Sequence, residues 1–331
     1  MEKDEMASNE QDLAKLLPEA RALVNKVVKN NMAEGILFSA GTDTSIIAYE
    51  AVKFDPDIQA ITVAFQQGKP KDTEYVKKMV EFLKLNHETY VFNVEAAIDA
   101  AKDVVKVLKT FDPMDVRNTL PAYIGLKVAK EKGIKSVLTG DALDELFGYP
   151  WQFHLSDTEF AKALSDMWGE MAFSSTPMGD SIGVKVCQPY LDPLFMDYAK
   201  NLPVKLKVNL HNGEKYGKWI MRKAYDGFIP DEVIWRGKAP LERGTGTWVL
   251  PDYFEKEMPT ADFEEKKKLV LEEDDVELIS KEQLVYYEIF RKTFGKPSEV
   301  YGEPVGRQCP KCKGYVDTKI GFCKICGNYP I

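Results

Sequence analysis

Ile36-Leu37-Phe38-Ser39-Ala40-Gly41-Thr42-Asp43-Thr44-Ser45 is the stretch whose reading decides the fold. An apolar run enters a turn of small and hydroxyl residues, and a second apolar stretch, Ile46-Ile47-Ala48-Tyr49, follows it. The pattern predicts a buried strand, a tight loop and the start of a helix. Such a loop can aim backbone N–H groups and hydroxyls at a phosphate, where the positive end of the helix also favours negative charge. Asp43 suits Mg2+, which takes one or two carboxylates together with phosphate oxygens and water. The same residues equally fit a hydroxyl-capped helix start with Asp43 near the positive end of the dipole. The Walker pattern, with Lys before Ser or Thr, is absent.

A matching segment, Leu138-Thr139-Gly140-Asp141-Ala142-Leu143-Asp144-Glu145-Leu146-Phe147-Gly148-Tyr149, lies about 100 residues downstream. Here an apolar strand runs into three carboxylates within five residues. A helix N-terminus explains one of them comfortably and three less well. Asp144 is a candidate for a second Mg2+ ligand, facing Asp43 across the edge of a sheet.

Between and around these segments, strand-like and helix-like stretches alternate. Ile58–Phe65, His87–Phe92 and Ser136–Gly140 read as strands, and Asp72–Leu85, Ala96–Leu108 and Pro121–Lys132 as helices. That alternation predicts an α/β fold with a doubly wound parallel sheet. Ligands of such sheets bind beyond the carboxyl ends of the strands, where Ser39 and Thr139 both fall. The division expected is a helical lead-in over 1–32 and a nucleotide-binding domain over 33–260 whose second half is mostly helical. A charged helix or linker over 261–305 and a cysteine module over 306–331 complete it. Glu264-Glu265-Lys266-Lys267-Lys268 and Glu272-Glu273-Asp274-Asp275 mark the third of these, and Pro297, Gly302, Pro304 and Gly306 punctuate the approach to the cysteines.

The bulk properties narrow the class. With 331 residues, two domains and an appendage are expected rather than one core. No apolar run approaches the roughly 20 residues that span a bilayer, and the charged start Met1-Glu2-Lys3-Asp4-Glu5 lacks an apolar signal region, so no membrane and a cytoplasmic location are the expectation. A formal charge of −8 argues against a broad nucleic-acid surface. The histidines His87, His154 and His211 form no ligand spacing, and Cys187 reads as a buried small hydrophobe.

Four of the five cysteines fall within the last 23 residues, as Cys309-Pro310-Lys311-Cys312 and Cys323-Lys324-Ile325-Cys326. Two such knuckles can supply four thiolates around one Zn2+, a closed and therefore structural site. Iron in the same four-sulfur set is the alternative. From Cys309 to Ile331 the lysines Lys311, Lys313, Lys319 and Lys324 stand against Asp317 alone, a local charge of 4 − 1 = +3. The ribbon is read either as a packing module or as a dock for RNA or an acidic protein surface.

Taken together, these motifs resemble the synthetase domain of asparagine synthetases and β-lactam synthetases, within the PP-loop ATP pyrophosphatases, whose sheet is HUP-like. The family loop Ser-Gly-Gly-x-Asp-Ser-Ser is met by Ser39–Ser45. Its Ser-Gly-Glu-Gly-x-Asp-Glu-x-Phe-Gly-Gly-Tyr is met by Thr139–Tyr149 with one residue fewer. Val116–Pro121, Gln188–Asp192, Glu214–Lys218 with Arg222, and Trp235–Lys238 with Gly244 and Gly246 follow in the family's order. The resemblance covers roughly residues 30–255. It implies an ATP-dependent, AMP-forming ligase that adenylates a carboxylate and then transfers nitrogen to it.

By that resemblance, Ser39, Gly41, Thr44 and Ser45 hold the pyrophosphate, and Asp43 and Asp144 hold Mg2+. Leu37, Val63 and Gly140 line the adenosine, with Thr139 beside them. Lys218 and Lys238 neutralise developing phosphate charge. Asp141 and Asp192 line the substrate pocket, and Arg117 either helps close the site or forms a structural ion pair.

Three departures qualify the likeness. Ala40 replaces a loop glycine, which costs energy if that position needs a positive φ. Asp141 stands where asparagine synthetases have Glu and β-lactam synthetases have Tyr. No glutaminase domain with an N-terminal cysteine is expected, so the nitrogen comes from free ammonia, a partner glutaminase or an amine. A small-molecule carboxylate is the other substrate, and self-association into a homo-oligomer is left open. Two further classes stay open: a PP-loop tRNA-modifying enzyme that inserts sulfur or an amine, and an inactive synthetase fold used as a binding protein.

Overall fold

The computed structural model describes residues 2–300, 306–316 and 321–331, with side chains described from residue 12 onward. Gly302 and Pro304 of the expected linker, and Asp317 and Lys319 of the charge count, lie outside the described residues. Strands β1 (Gly35–Leu37), β2 (Gln59–Phe65), β3 (Asn86–Phe92), β4 (Ser136–Leu138) and β5 (Lys185–Cys187) form a five-stranded parallel sheet in the order β3-β2-β1-β4-β5. Ile36 stands in register with Ala60 on one side and Leu138 on the other, and Leu138 with Cys187. The chain winds outward from β1 to β3, then returns to the other side of β1 for β4. The crossover places the ends of β1 and β4 side by side at the topological switch point, where doubly wound sheets bind ligands.

Helices α1 (Glu2–Asn30), α2 (Thr42–Ala51), α3 (Thr73–Leu83), α4 (Val94–Leu108) and α5 (Pro113–Glu131) precede β4. After it come α6 (Leu143–Phe147), α7 (Asp157–Glu170), α8 (Ser175–Ile182) and α9 (Pro193–Asn201). The expected strands and helices are present with ends shifted by a few residues, save for α5. That helix begins eight residues before Pro121, the position expected to open it. Its start signal is Asp112 followed by Pro113: the Asp112 carboxylate accepts the Met114 N–H at 3.0 Å, and proline suits the first helical position. Pro121 is carried inside the helix. Two further elements were not expected: the short edge strand β5, and the hairpin β6 (Val208–His211) and β7 (Glu214–Gly217), turned by Asn212-Gly213.

Two compact units are distinguished by contact clustering. The first comprises Met1–Thr62, Asp72–Thr89 and Val128–Ala239. Its core is built from Ile36, Phe38, Ile46, Ile47, Leu138, Leu146, Phe147 and Tyr190, and α1 adds Ala20, Val24, Val27 and Val28 from one helical stripe. Helix α1 lies against α2, α9 and the helix Trp219–Ala224. The second unit comprises Val63–Lys71, Tyr90–Lys127 and Pro240–Ile331. There Phe111 meets Tyr287 and Phe290 edge-on at 5.1 and 5.2 Å, on the helix Lys281–Phe294. The charged stretch is therefore largely helical, Thr260–Asp274 and Lys281–Phe294, and the second of these helices buries Leu284, Tyr286, Tyr287 and Phe290. Among the described residues no helix is long and apolar enough to cross a membrane.

Among the described residues, the buried ammonium of Lys207 in the first unit pairs with no carboxylate. The Nζ of Lys207 donates to Leu146 O at the end of α6 (3.3 Å) and to Ala199 O in the last turn of α9, beside the rings of Phe147 and Trp168. A positive charge suits two helix C-termini, yet burial lowers the Lys207 pKa to about 8. The unfolded chain, with lysine near 10.4, then binds more protons than the native one between pH about 8 and 10.4. This residue's contribution therefore makes stability rise with pH across that window. Lys207→Met should flatten the rise, read as urea midpoints at pH 8 and pH 10 for both proteins; parallel slopes would contradict the assignment.

Candidate active site

At the end of β1, Phe38 N–H donates to Ile61 O at 2.7 Å and Thr62 Oγ1 donates to Phe38 O at 2.7 Å, so the strand holds its position until the loop departs. The loop Ser39-Ala40-Gly41 then turns into α2. Gly41 N–H donates to Ser39 Oγ (3.2 Å), and the Ser39 and Thr44 hydroxyls lie 3.1 Å apart. Ser45, one turn into the helix, is fully buried, and among the described residues its hydroxyl has no hydrogen-bond partner. An unpaired buried hydroxyl is uncommon enough to call for a polar ligand or a water. Ala40 adopts φ 50°, the left-handed conformation at which a Cβ costs about 1 kcal/mol. Its carbonyl accepts from Arg236 Nη1 at 3.0 Å, and the same guanidinium donates to Asp72 at 2.7 Å and covers the ring of Tyr75.

The second loop packs tightly against the first. A Cβ on Gly140 would lie 3.0 Å from both Asp43 Cβ and Thr44 Cγ2. Asp43 and Asp144 converge from the two loops on a single cation. Lys218 Nζ donates to both oxygens of Asp43 (2.6 and 2.8 Å) and stands 2.7 Å from Asp144 Oδ1, while Lys238 Nζ stands 2.5 Å from Asp144 Oδ2. Two carboxylates and two ammonium groups thus form one nearly neutral cluster. Burial disfavours ionisation of Asp144, but Lys218 and Lys238 outweigh it and hold the pKa down to about 2. Burial likewise works against the charge on Lys238, and Asp144 and Asp43 overcome it and raise its pKa.

Several residues of this site carried no role in the sequence reading. Ala142, where the family motif has its second glycine, adopts φ 81°, and Lys218 itself has φ 57°. Arg222 is buried and donates to the carbonyls of Gly217, Ile234 and Arg236, pinning the segment that carries Lys238. Tyr190 hydroxyl donates to Asp43 O at 3.0 Å. Tyr149 hydroxyl donates to Glu145 at 2.7 Å, and burial raises the Glu145 pKa. None of these contacts has a local signal, apart from the glycine-to-alanine departure at Ala142, which direct comparison with the motif would have flagged.

Asp192 caps α9: one oxygen accepts Leu194 N–H at 3.0 Å and the other accepts Asn31 Nδ2 at 3.1 Å, and among the described residues nothing ties it to Asp43 or Asp144. Arg117 belongs to the second unit, where Glu242 and Glu282 each meet its guanidinium at 2.6 Å. Leu37 ends β1 and Val63 lies midway along β2. Thr139 N–H bonds Cys187 O, its hydroxyl donates to Asp141 (2.7 Å), and Cys187 is buried as expected.

In the second unit, Cys309, Cys312, Cys323 and Cys326 are all buried, with their sulfurs within 4.8 Å of one another. The pairs Cys309–Cys326 and Cys312–Cys323 are 3.7 and 3.6 Å apart. A tetrahedral site with metal–sulfur bonds of about 2.3 Å sets its sulfurs roughly 3.8 Å apart, so the four thiols fit zinc. The ribbon is bonded into this unit. Phe111 N–H and Thr110 Oγ1 donate to Ile325 O (2.7 and 3.2 Å), and Gln283 Nε2 donates to Cys326 O (3.0 Å). Gly327 packs so closely that an added Cβ would meet the Asp112 carboxyl at 2.5 Å. Two of the ribbon's lysines are occupied internally, Lys311 by Glu277 and Lys313 by Asp275 at 3.6 Å.

The model of the asparagine synthase family matches residues 19–174 and 176–308. This chain belongs to that family. A probable glutamine-hydrolysing asparagine synthetase of Dictyostelium discoideum is 27% identical over 88% of the chain and 56% of its own length. Asparagine synthetase B of Escherichia coli is 28% identical over 86% of the chain and 55% of its own length. The chain thus spans about half the length of the curated relatives it matches. Among solved structures, an NMN synthetase from Francisella tularensis aligns with a TM-score of 0.37 at 13% identity, covering 86% of this chain and 94% of that one.

Gly140→Ala should wedge the two loops apart and destabilise the chain by about 1–3 kcal/mol; an unchanged urea midpoint would show that the loops do not pack as described. Removing metal with a strong zinc chelator should strip hydrogen-exchange protection from the Phe111 amide, bonded to Ile325 O, while the Phe38 amide, bonded to Ile61 O, keeps it. Equal protection of Phe111 before and after chelation would contradict a metal-dependent brace.

Proposed function

We propose that the chain is an ATP-dependent, AMP-forming ligase that adenylates a substrate carboxylate and then transfers nitrogen to the acyl adenylate. The observation that carries this reading is the convergence of Asp43 and Asp144, from two separate strand ends, on one cation position occupied by Lys218 Nζ. Two carboxylates aimed at a single positive charge suit Mg2+, and Asp43 and Asp144 would hold it. Bound there, the ion would screen the charge of the triphosphate.

The remaining roles fall to groups of the first unit. Ser39, Thr44 and the N–H groups that open α2 cradle the pyrophosphate, and the unpaired Ser45 hydroxyl supplies one further donor. In the first step an oxygen of the substrate carboxylate attacks the α-phosphorus, the bond to the β-phosphate oxygen breaks, and pyrophosphate leaves with the electron pair. Lys238, held by Asp144, and Lys218, which the ion would release from Asp43 and Asp144, supply positive charge to the leaving group. Leu37 and Gly140 line the adenosine. In the second step nitrogen displaces AMP from the acyl carbon. The nucleophile is ammonia, whatever supplies it, or an amine.

The tRNA-modifying alternative gains no support from the ribbon, since Lys311 and Lys313 are spent on Glu277 and Asp275. The decisive measurement is ATP–pyrophosphate exchange on a panel of carboxylates, expected with at least one of them. Lys238→Ala should lower the exchange kcat by about 100-fold or more while ATP affinity stays within a few-fold. An undiminished kcat would remove Lys238 from this role. Exchange on bulk tRNA alone, or the absence of nucleotide binding, would overturn the reading itself.

A further inference from the structure

Asp141 shares a loop with Asp144 but not its environment. Its Oδ2 accepts three hydrogen bonds, from Thr139 Oγ1 at 2.7 Å, Ser175 Oγ at 2.6 Å and Gln188 Nε2 at 2.9 Å. All three donors are neutral. Gln188 is itself fixed from the far side, because its Oε1 accepts from Thr176 Oγ1 at 3.2 Å, and its Nε2 lies 3.3 Å from Ser175 Oγ. The acceptor of the amide is thereby committed to Thr176 and its donor to Asp141. Among the described residues, Oδ1 of Asp141 takes part in no hydrogen bond and no lysine or arginine pairs with the carboxylate. In the same loop, Asp144 is paired twice over. The chain thus compensates one carboxylate with cations and supplies the other only with donors that orient it.

The donors come from the part of the sheet that the phosphate loop does not use. Ser175 opens α8, Gln188 follows β5, and β5 pairs with β4 through Leu138 and Cys187. The cluster therefore sits at the carboxyl ends of β4 and β5, while the Ser39–Ser45 loop follows β1. An oriented carboxylate oxygen without an internal cation is suited to a protonatable nitrogen, to which it can act as acceptor.

We propose that Ser175 and Gln188 are positioning residues for nitrogen transfer. They lock Oδ2 of Asp141 so that Oδ1 receives the incoming nitrogen, which is ammonia or a primary amine. This rests on the adenylation reading above. As the nitrogen lone pair forms the C–N bond, the C–O bond to AMP breaks with its electron pair going to AMP, and one N–H proton passes to Oδ1. Locking by two side chains from separate elements matters because an aspartate is one methylene shorter than a glutamate and has less reach with which to correct its aim.

The test separates the two half-reactions. Ser175→Ala and Gln188→Leu are compared with wild type in ATP–pyrophosphate exchange and in amide formation, with ammonium chloride in one arm and methylamine or ethanolamine in the other. Exchange should stay within about twofold, while the KM for the nitrogen donor rises about tenfold or more. The pH profile of the transfer step should shift, and Ser175→Thr, which keeps the hydroxyl, should recover most of the loss. The arm with the lower wild-type KM identifies the source. Transfer with an unmoved KM and pH profile would overturn the inference alone, as would equal losses in exchange and transfer, which is the mark of a structural defect. Absence of exchange in the wild type with every carboxylate would overturn the adenylation reading, and this inference with it.

Discussion

The ammonium of Lys218, held between Asp43 and Asp144, is the interaction on which the first unit's site depends. Each carboxylate ends a different strand–loop–helix segment, and each is largely buried. Without a cation between them their repulsion would drive the β1 and β4 loops apart, and removing one partner from such a buried set costs about 3–5 kcal/mol because a charge is left unpaired. Lys238 adds a second positive charge on Asp144. The loops are thus joined electrostatically at the point where a phosphate chain would need them preorganised. The close contact of Gly140 with Asp43 and Thr44 joins them sterically at the same place.

Strain collects at the same point. Ala40, Ala142 and Lys218 all adopt left-handed backbone, and each lies within the two loops or carries the bridging ammonium. Such conformations persist only where surrounding contacts over-determine them. Here the contacts are identifiable: Arg236 on the Ala40 carbonyl, Arg222 on three carbonyls behind Lys238, and the ion cluster on Lys218. A chain that keeps two alanines at left-handed positions, with buried arginines holding the neighbouring backbone, favours a loop shape set by its polar contacts rather than by glycine freedom.

The second unit is organised by a different constraint. Its cysteine module fits a metal at four sulfurs, while Ile325 O and Cys326 O fasten it to the loop before α5 and to the helix Lys281–Phe294, and the Lys311–Glu277 pair fastens it to the segment before that helix. The +3 charge read from the sequence is partly consumed by this fastening. The ribbon is a brace within its unit because the residues that face it, Thr110, Phe111, Asp112 and Gln283, carry the matching donors and fit.

Residues close in the chain determined most of the fold. Apolar runs ending at Ser39 and Thr139, alternating with helical periodicity, were enough for a parallel sheet and for the placement of both loops at strand ends. The pairing of Asp43 with Asp144 was legible because each sits in a motif, and the four cysteines because knuckle spacing is a local signal. The least legible elements carry short or competing signals: β5 is three residues long, and α5 holds two candidate starts, Asp112-Pro113 and Pro121. Only the tertiary structure decided which partner each charge takes. Asp192 became a helix cap and Arg117 an ion pair with Glu242 and Glu282, while Asp141 was locked by Ser175 and Gln188. Secondary structure follows from neighbours along the chain, whereas the partner of a side chain depends on elements brought together across the fold. Sequence spacing carries no record of those distances.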